Sequence, residues 1–289
     1  MSTTSLLASS RQNNHLWRKI KNWLMVSSSI GSALLVILPL GLVLFYLVYK
    51  GAAAINLGFF TNVPAPPGDT DGGMANAIVG SFLLLGMAVL VGAPMGILGG
   101  IYLSEYGNEK LNGAIRFCAD VLNGVPSIVW SIIVYEVLVV PMRGYSLLSG
   151  GIALGLMMIP LVLRTTEEVL VLVPNSYREA ALALGIARWQ IIVKIVVATA
   201  YKGIITAVLV AGARIAGETA PLLFTAFGNL NWCTGLNQPV AALPLQIYAY
   251  AISAYEDWHR QAWAGALVLI GFVFIINISV RFMTRERKA

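Results

Sequence analysis

Residues 75–103 read ANAIVGSFLLLGMAVLVGAPMGILGGIYL, and this stretch contains no Asp, Glu, Lys or Arg. A helix needs about 20 apolar residues to cross a hydrocarbon core about 30 Å thick, so this run is long enough. The whole chain has the same character, because 58% of its 289 residues are hydrophobic and only 11% are charged. A soluble domain has about a quarter of its residues charged. The sequence therefore predicts a protein whose solvent is lipid.

Six apolar runs of this kind occur along the chain. They are too long for barrel strands of about 10 residues, and unpaired backbone groups are too costly in lipid, so each run is predicted to be a helix. We predict an all-α integral membrane protein with six transmembrane helices, a transmembrane domain at 24–283, and short tails at 1–23 and 284–289. The predicted spans are Leu24–Tyr49, Ala75–Leu103, Val121–Met142, Leu147–Thr166, Ile195–Leu223 and Ala262–Phe282.

The basic residues predict the orientation of the spans. Fifteen of the 19 Lys and Arg residues flank the spans on one side, whereas Lys50, Arg143 and Arg260 lie on the other and Arg214 lies inside the fifth span. Cytoplasmic loops carry the excess of Lys and Arg, so both termini are predicted to be cytoplasmic. The same clustering explains the net charge of +6, and no nucleic-acid partner is predicted.

No residue pattern predicts chemistry carried out by this chain. Its two histidines and two cysteines do not have the spacing of metal ligands. None of its seven lysines belongs to a Gly-x-x-x-x-Gly-Lys-Ser/Thr phosphate loop. We therefore predict no catalytic residue, no metal and no cofactor bound by this chain.

The loop at 173–185 reads VPNSYREAALALG and has the pattern of a short helix with defined ends. Ser176 and Glu179 have the spacing of a capping box, the Ala and Leu residues favour a helix, and Gly185 supplies a C-terminal stop. A second helix is predicted to begin near Ala187 and to lead into the fifth span. From the residues alone, this cytoplasmic helix pair is either a capped connector or a docking element.

Arg214 and Glu218 lie four residues apart, so a continuous fifth span would place them on one helical face. A rise of 1.5 Å per residue puts Arg214 about 18 Å above Lys202. An arginine at that depth costs about 2.5–3.5 kcal/mol, so the pair is expected to face protein or water. Two interpretations remain open: an ion pair that pins helix packing, and a site that meets an anion or gates its path.

The helix pair resembles the EAA loop of importer-type ABC transporter permeases, whose pattern is Glu-Ala-Ala, three residues, Gly, nine residues, then Ile-x-Leu-Pro. The positions in register are Glu179, Ala180, Ala181, Gly185 and Ile195. At the end of the pattern, Val197 replaces the Leu and Ala198 replaces the Pro. The resemblance implies a helix that docks on a separate ATPase subunit, which binds ATP and Mg²⁺. We assign this coupling to the first four residues in register and to Arg188.

The run at 213–226, ARIAGETAPLLFTA, closely resembles the fifth span of PstA-type permeases of phosphate-specific ABC transporters. The run at 75–81, which opens the second span, and the run at 124–131 in the third span also resemble this family. The resemblance implies an importer permease domain at 24–283, with its core at about 75–283, in the bacterial inner (plasma) membrane. The implied partners are a second homologous permease, two ATP-binding cassette ATPase subunits and an external phosphate-binding protein. The predicted residues of the substrate path or gate are Arg214, Glu218, Thr219, Asn76 and Ser127.

Three alternatives to a phosphate permease are kept. The first has the same fold but imports another oxyanion, such as sulfate or phosphonate. The second is a membrane scaffold that only senses. The third, an intramembrane enzyme, would need a nucleophile and base or a metal cluster within the spans, where only Arg214 and Glu218 are available. For Asn76, helix capping and interhelical hydrogen bonding compete with a place on the path.

A few further positions are expected to shape the helices. Small residues at Gly92, Gly96 and Gly100 predict close helix packing. Pro126 and Pro160 are expected to bend their helices, and Asp120 is expected to cap the inner end of the third span.

Overall fold

A computed structural model describes residues 3–69 and 72–284, with side chains placed at 17–69, 72–279, 281 and 282. Of the predicted C-terminal tail, 285–289 lie outside the described residues. The described chain is helical apart from its loops, and one isolated bridge joins Phe227 to Val240. The helices, in chain order, are α1 Thr3–Ala52, α2 Leu57–Thr61, α3 Ala75–Ile101, α4 Glu109–Gly124, α5 Ser127–Val134, α6 Val140–Met142, α7 Leu147–Val171, α8 Asn175–Ala183, α9 Arg188–Ile191, α10 Ala198–Ile215, α11 Ala220–Thr225, α12 Leu243–Ala251 and α13 Glu256–Thr284.

Three of these helices run on into wider π-helical turns, which keep the helix continuous while shifting its register. The turns are Tyr102–Tyr106 after α3, Tyr135–Val139 between α5 and α6, and Ile192–Val197 between α9 and α10. The first of them carries Glu105 and the third follows the predicted coupling helices. The first turn therefore lies at the end of α3, and the third lies where α9 leads into α10.

The number of spans agrees with the prediction. Five helical segments of the described chain are long and apolar enough to cross a membrane, and the pair formed by 109–124 and 127–142 makes a sixth if it counts as one bent span. The five are Trp17–Ala52, Ala75–Tyr106, Leu147–Val171, Arg188–Ile215 and Glu256–Ser279. The prediction of an all-α membrane protein with six spans is confirmed on that count.

The chain divides into two units, residues 1–50 and 51–289. The described part of the first unit is one uninterrupted helix, with Pro39 inside it. The predicted boundary between a tail at 1–23 and the first span therefore does not coincide with a helix end. The second unit holds all the remaining elements.

The third span differs from the prediction of one helix at Val121–Met142. The chain bends by 99° between α4 and α5, where Val125 and Pro126 are extended with ψ of 130° and 137°. Proline has no N–H to donate and holds the preceding residue out of the helical region, which explains the break. Asp120, predicted as a cap at the inner end of this span, instead lies inside α4.

The fifth span also ends earlier than predicted. Its helix stops at Ile215 rather than continuing to Leu223, and α11 begins after an irregular stretch at 216–219. Gly217 lowers helix propensity, and Pro221 cannot donate to the carbonyl four residues before it. The fifth span is therefore a discontinuous helix.

The core of the second unit lies where α3 packs against α7. Its buried side chains include Leu84, Ala88, Leu154 and Met158. The two helices are close because α3 presents a stripe of glycines, as the sequence predicted. A Cβ would lie 2.6 Å from the carbonyl oxygen of Gly155 if added to Gly92, 2.7 Å from Cβ of Val162 if added to Gly96, and 2.7 Å from Cβ of Thr166 if added to Gly100. The backbones approach closely only because these side chains are missing.

Candidate functional site

The predicted helix pair is present as α8 and α9, and the second helix begins directly after Ala187, close to the predicted start. Gly185 has a φ of +74°, which favours glycine. Its N–H bonds to the carbonyl of Leu182 and that of Ile186 bonds to the carbonyl of Ala181. These two bonds form a Schellman motif, so α8 ends as the sequence predicted.

The predicted capping box is wrong. The cap residue of α8 is Pro174, and Ser176 lies inside the first turn of the helix without a capping hydrogen bond. The fixed φ of proline favours the start of a helix. The helix therefore begins at Asn175, one residue before Ser176. Glu179 is therefore not engaged in capping, and its side chain is exposed.

The faces of α8 differ sharply. Glu179 and Ala180 are exposed, whereas Ala181 is only 4% exposed. Ala181 packs in a cluster with Leu170 and Val173 at the end of α7 and with Ile191 of α9. One side of the helix is thus packed against the ends of neighbouring helices, and the other side is exposed.

Arg178 anchors α8 to a residue that the sequence did not suggest. Its guanidinium forms a salt bridge with Glu105 of 2.6 Å, and the carboxylate is buried. Arg188 donates from Nη2 to the backbone carbonyl of Glu105 at 2.5 Å, and its guanidinium lies 5.5 Å from the centre of the Tyr106 ring. A lone acid at the end of an apolar run was the only available signal, because its partner is 73 residues away.

A second ionic cluster, also not predicted, connects α4 to α7. The buried carboxylate of Glu167 accepts from Arg116 at 2.6 Å and from Arg164 at 2.8 Å. Arg164 also donates to Asp120 at 3.0 Å, which gives Asp120 a role in an ion pair rather than a cap. The bent third span is therefore held to α7 by charge, and helix α4 cannot move far without breaking these contacts.

Arg214 lies one residue before the end of α10, where the fifth span breaks. Its side chain is exposed, and among the side chains that the structure describes none forms an ion pair or hydrogen bond with it. Glu218 lies in the irregular stretch after the helix, half-buried. The expectation that the two share one helical face is therefore wrong, because the helix breaks between them. Of the two interpretations, the ion pair is not formed.

The walls around Arg214 come from three spans. A cavity of about 20 Å³ lies beside it, lined by Leu122 and Asn123 at the end of α4, Trp130 of α5, and Met157 of α7. A space of that size holds about one water molecule. The bend of the third span and the end of α10 therefore meet at one place, which brings the charged residue to a junction of helices.

The other predicted path residues lie on different helices. Thr219 is the cap residue of α11 but makes no capping hydrogen bond, and Ser127 is the first residue of α5, next to the bend. Asn76 is 4% exposed and donates from its amide to the backbone carbonyl of Asn229 at 2.7 Å. Ser127 directly follows the bend whose Val125 lines the cavity beside Arg214, whereas the geometry of Asn76 fits the structural role.

Helices that cross the membrane, a discontinuous span with an arginine at its break, and a helix pair exposed at one end together define a multi-pass membrane transport protein. Irregular backbone at membrane depth occurs where it is buried in protein or lines a cavity. In the described residues, no three His, Cys, Asp or Glu side chains are grouped to hold a metal ion.

Comparison with known proteins gives the family. Residues 92–288 match the family described as "Binding-protein-dependent transport system inner membrane component". The phosphate transport system permease protein PstA of Yersinia pestis is 43% identical over 289 residues, which are 100% of this chain and 98% of that protein. The PstA protein of Haemophilus influenzae is 45% identical over 276 residues, 94% of this chain and 96% of that protein.

A solved structure of the MetNI methionine ABC transporter in an inward-facing conformation has the same fold. Its TM-score is 0.56 at 20% identity, over 73% of this chain and 94% of that chain. This chain belongs to the family of binding-protein-dependent inner-membrane permeases, among the phosphate transport system permease proteins.

Proposed function

We propose that the chain is the permease subunit of an ATP-driven importer that moves inorganic phosphate across the inner membrane. The observation that carries this proposal is Arg214, an arginine at the break of a membrane span with no protein partner among the described side chains. Its planar guanidinium offers five donors in a fork that matches phosphate oxygens. The likeness to phosphate permeases over the full chain supports the same substrate.

Arg214 would attract the anion, and Glu218 would limit how tightly it is held. The side chain of Glu218 is half-buried four residues further along, in the irregular stretch. A negative charge near the path repels phosphate, which prevents the site from becoming a permanent trap. Because the cavity beside Arg214 holds about one water molecule, passage of phosphate requires the surrounding helices to separate.

The energy for that separation would come from partners. We infer a complex of this chain with a second homologous permease, two ATPase subunits that bind ATP and Mg²⁺, and an external phosphate-binding protein. The exposed face of α8, with Glu179 and Ala180 on it, would dock on the ATPase, and Gly185 and Arg188 would keep the helix pair in shape. In the proposed complex, α8 faces the cytoplasmic ATPase, and both termini of the chain also lie in the cytoplasm.

Uptake of labelled phosphate into vesicles tests the proposal. The complete complex would be reconstituted with the wild-type chain or with Arg214→Gln, at equal complex abundance. We expect uptake to fall about 10- to 100-fold, because the charged donors to the anion are lost. ATP hydrolysis should persist. Arg143→Gln is the matched control, since it removes the same charge from an exposed residue.

Two results would contradict the proposal. If Arg214→Gln transports as well as Arg143→Gln, the arginine has no role in the path. If the wild-type complex takes up labelled sulfate or phosphonate but no phosphate, the substrate is another oxyanion. A complex that takes up none of these anions would point to a scaffold that senses without transport.

A further inference from the structure

The side chain of Glu105 lies in the π-helical turn that extends α3 at its membrane end, and it is 7% exposed. A buried carboxylate needs partners, because an unpaired charge away from water is very costly. Both of its oxygens are used. Oε1 accepts from Nη2 of Arg178 at 2.6 Å and Oε2 accepts from Nε of the same arginine at 3.2 Å, which gives a two-pronged contact.

The contact involves three separate elements of the membrane core. Arg178 donates from Nη1 to the carbonyl of Val173 at 2.6 Å and from Nη2 to the carbonyl of Leu170 at 3.1 Å, both at the end of α7. The carbonyl of Leu170 lies in the last turn of α7, and that of Val173 lies just beyond the helix. Guanidinium donors satisfy carbonyls of this kind at helix C-termini. Arg188 of α9 adds a bond to the backbone carbonyl of Glu105. The guanidinium of Arg178 therefore holds α8, the end of α3 and the end of α7 together.

No direct backbone connection joins α8 to α3, because α4 to α7 lie between them along the chain. The helix pair α8 and α9 links α7 to α10 along the chain, whereas Glu105 precedes Arg178 by 73 residues. Displacement of α8 would reach α7 and α10 through the backbone, but it reaches the turn that carries Glu105 through side-chain contacts. Among these contacts, Glu105 and Arg178 form the ion pair. Arg178 immediately precedes Glu179 in α8.

We infer that Glu105 is a positioning residue for transport. It fixes the coupling helices to the end of α3, so that movement imposed on α8 by the ATPase is delivered to α3 as well as to α7 and α10. The inference rests on the proposed function. It concerns a residue that touches neither substrate nor ATPase, and it acts through Arg178.

Glu105→Gln is the informative substitution, because it keeps the shape of the side chain and removes its charge. The amide oxygen still accepts hydrogen bonds, but the NH₂ group that replaces the second carboxylate oxygen faces a guanidinium that only donates. Packing of Ala181 and Ile191 against the end of α7 is untouched, so α8 should remain folded and docked. The matched control is Glu168→Gln, which removes the same charge from an exposed residue of α7.

Distances between spin labels test whether α8, α9 and the end of α3 move together. Labels would replace Tyr102, in the turn that extends α3, and Trp189 of α9, both exposed, in the complete complex with Cys118 and Cys233 changed to Ser. In the wild-type background we expect one narrow distance distribution with and without ATP. In Glu105→Gln we expect the distribution with ATP to be about twice as wide, because the two elements are no longer held. Glu168→Gln should match the wild type.

The ratio of phosphate taken up to ATP hydrolysed tests the consequence. Glu105→Gln is expected to lower this ratio about tenfold while the ATPase rate and complex abundance stay near wild type. A merely structural residue would lower abundance, hydrolysis and uptake together. Adding Glu105→Gln to Arg178→Gln should cause no further loss, because both act through one contact.

The inference is overturned if Glu105→Gln keeps both the narrow distribution and the wild-type ratio, or if the wild-type labels separate on ATP binding. It is also overturned if the losses in the double variant multiply. A wild-type complex that takes up no phosphate would refute the proposed substrate, yet the label distances would still decide the role of Glu105.

Discussion

Two arginines of this chain lie in opposite environments. Arg178, at the coupling helices, meets a buried carboxylate and two helix-end carbonyls. Arg214, at the break of the fifth span, meets no described side chain by ion pair or hydrogen bond. An arginine whose donors are all used by the protein cannot bind a mobile anion, whereas one with free donors can. We propose that this difference separates a residue that transmits movement from one that meets the substrate.

Stability measurements give the largest contrast between the two residues. Arg178→Gln leaves Glu105 charged and buried, and breaking a buried ion pair in this way costs about 3 kcal/mol in the free energy of unfolding. Arg214→Gln removes no described contact and should change it by less than about 0.5 kcal/mol. Unfolding of the detergent-solubilised complex by denaturant would measure both. Equal losses would mean that Arg214 is also structural.

Charge retention sharpens the comparison for Arg214. Arg214→Lys keeps the positive charge but loses the planar fork of donors. We expect phosphate uptake to fall about tenfold or less, a smaller loss than with Arg214→Gln, because one charge-assisted contact remains. Labelled uptake at several phosphate concentrations would show the loss chiefly as a weaker apparent affinity. Identical losses for Lys and Gln would indicate that geometry alone matters.

Gly185 tests whether the end of α8 is fixed by its backbone. Gly185→Ala places a side chain at a φ of +74°, which costs about 1 kcal/mol. The expected result is a fall of that size in unfolding free energy and a more protease-sensitive segment at 183–187. If the variant is as stable as the wild type, the Schellman motif does not contribute to the stability of this region.

Ser176 gives the smallest expected effect and tests the start of the same helix. Since Pro174 is the cap and Ser176 makes no capping bond, Ser176→Ala should change the unfolding free energy by less than about 0.5 kcal/mol. A true cap would cost about 1 kcal/mol on the same substitution. Denaturant unfolding of both variants, side by side, distinguishes the two ends of α8.

The sequence was enough for the number of spans and for the presence of the coupling helix pair, because both depend on local composition. Apolar runs of sufficient length, Gly185 as a stop and Ala187 as a start all act within a few residues. The bend at Pro126 was predicted only as a bend, since the run remains apolar on either side of it. Its consequence, a separate helix at 109–124, follows from charged residues that pair with α7.

The contacts that define the site depend on residues far apart in the chain. Glu105 and Arg178 are separated by 73 residues, and Arg116 and Glu167 by 51. No periodicity within one segment could pair them. The expectation that Arg214 and Glu218 share one helical face was wrong for another reason, because it assumed a continuous helix where Gly217 and Pro221 interrupt it.

The glycine stripe of α3 determines how the membrane part of the molecule can change shape. Each missing side chain fits one particular feature of α7: Gly92 faces Gly155, Gly96 faces Val162 and Gly100 faces Thr166. Sliding one helix along the other would bring larger residues into these close approaches and force the backbones apart. The two helices are therefore expected to turn as a single rigid unit. The coupling helices pack against one end of this unit, and Met157 of α7 lies beside the helix break at Arg214.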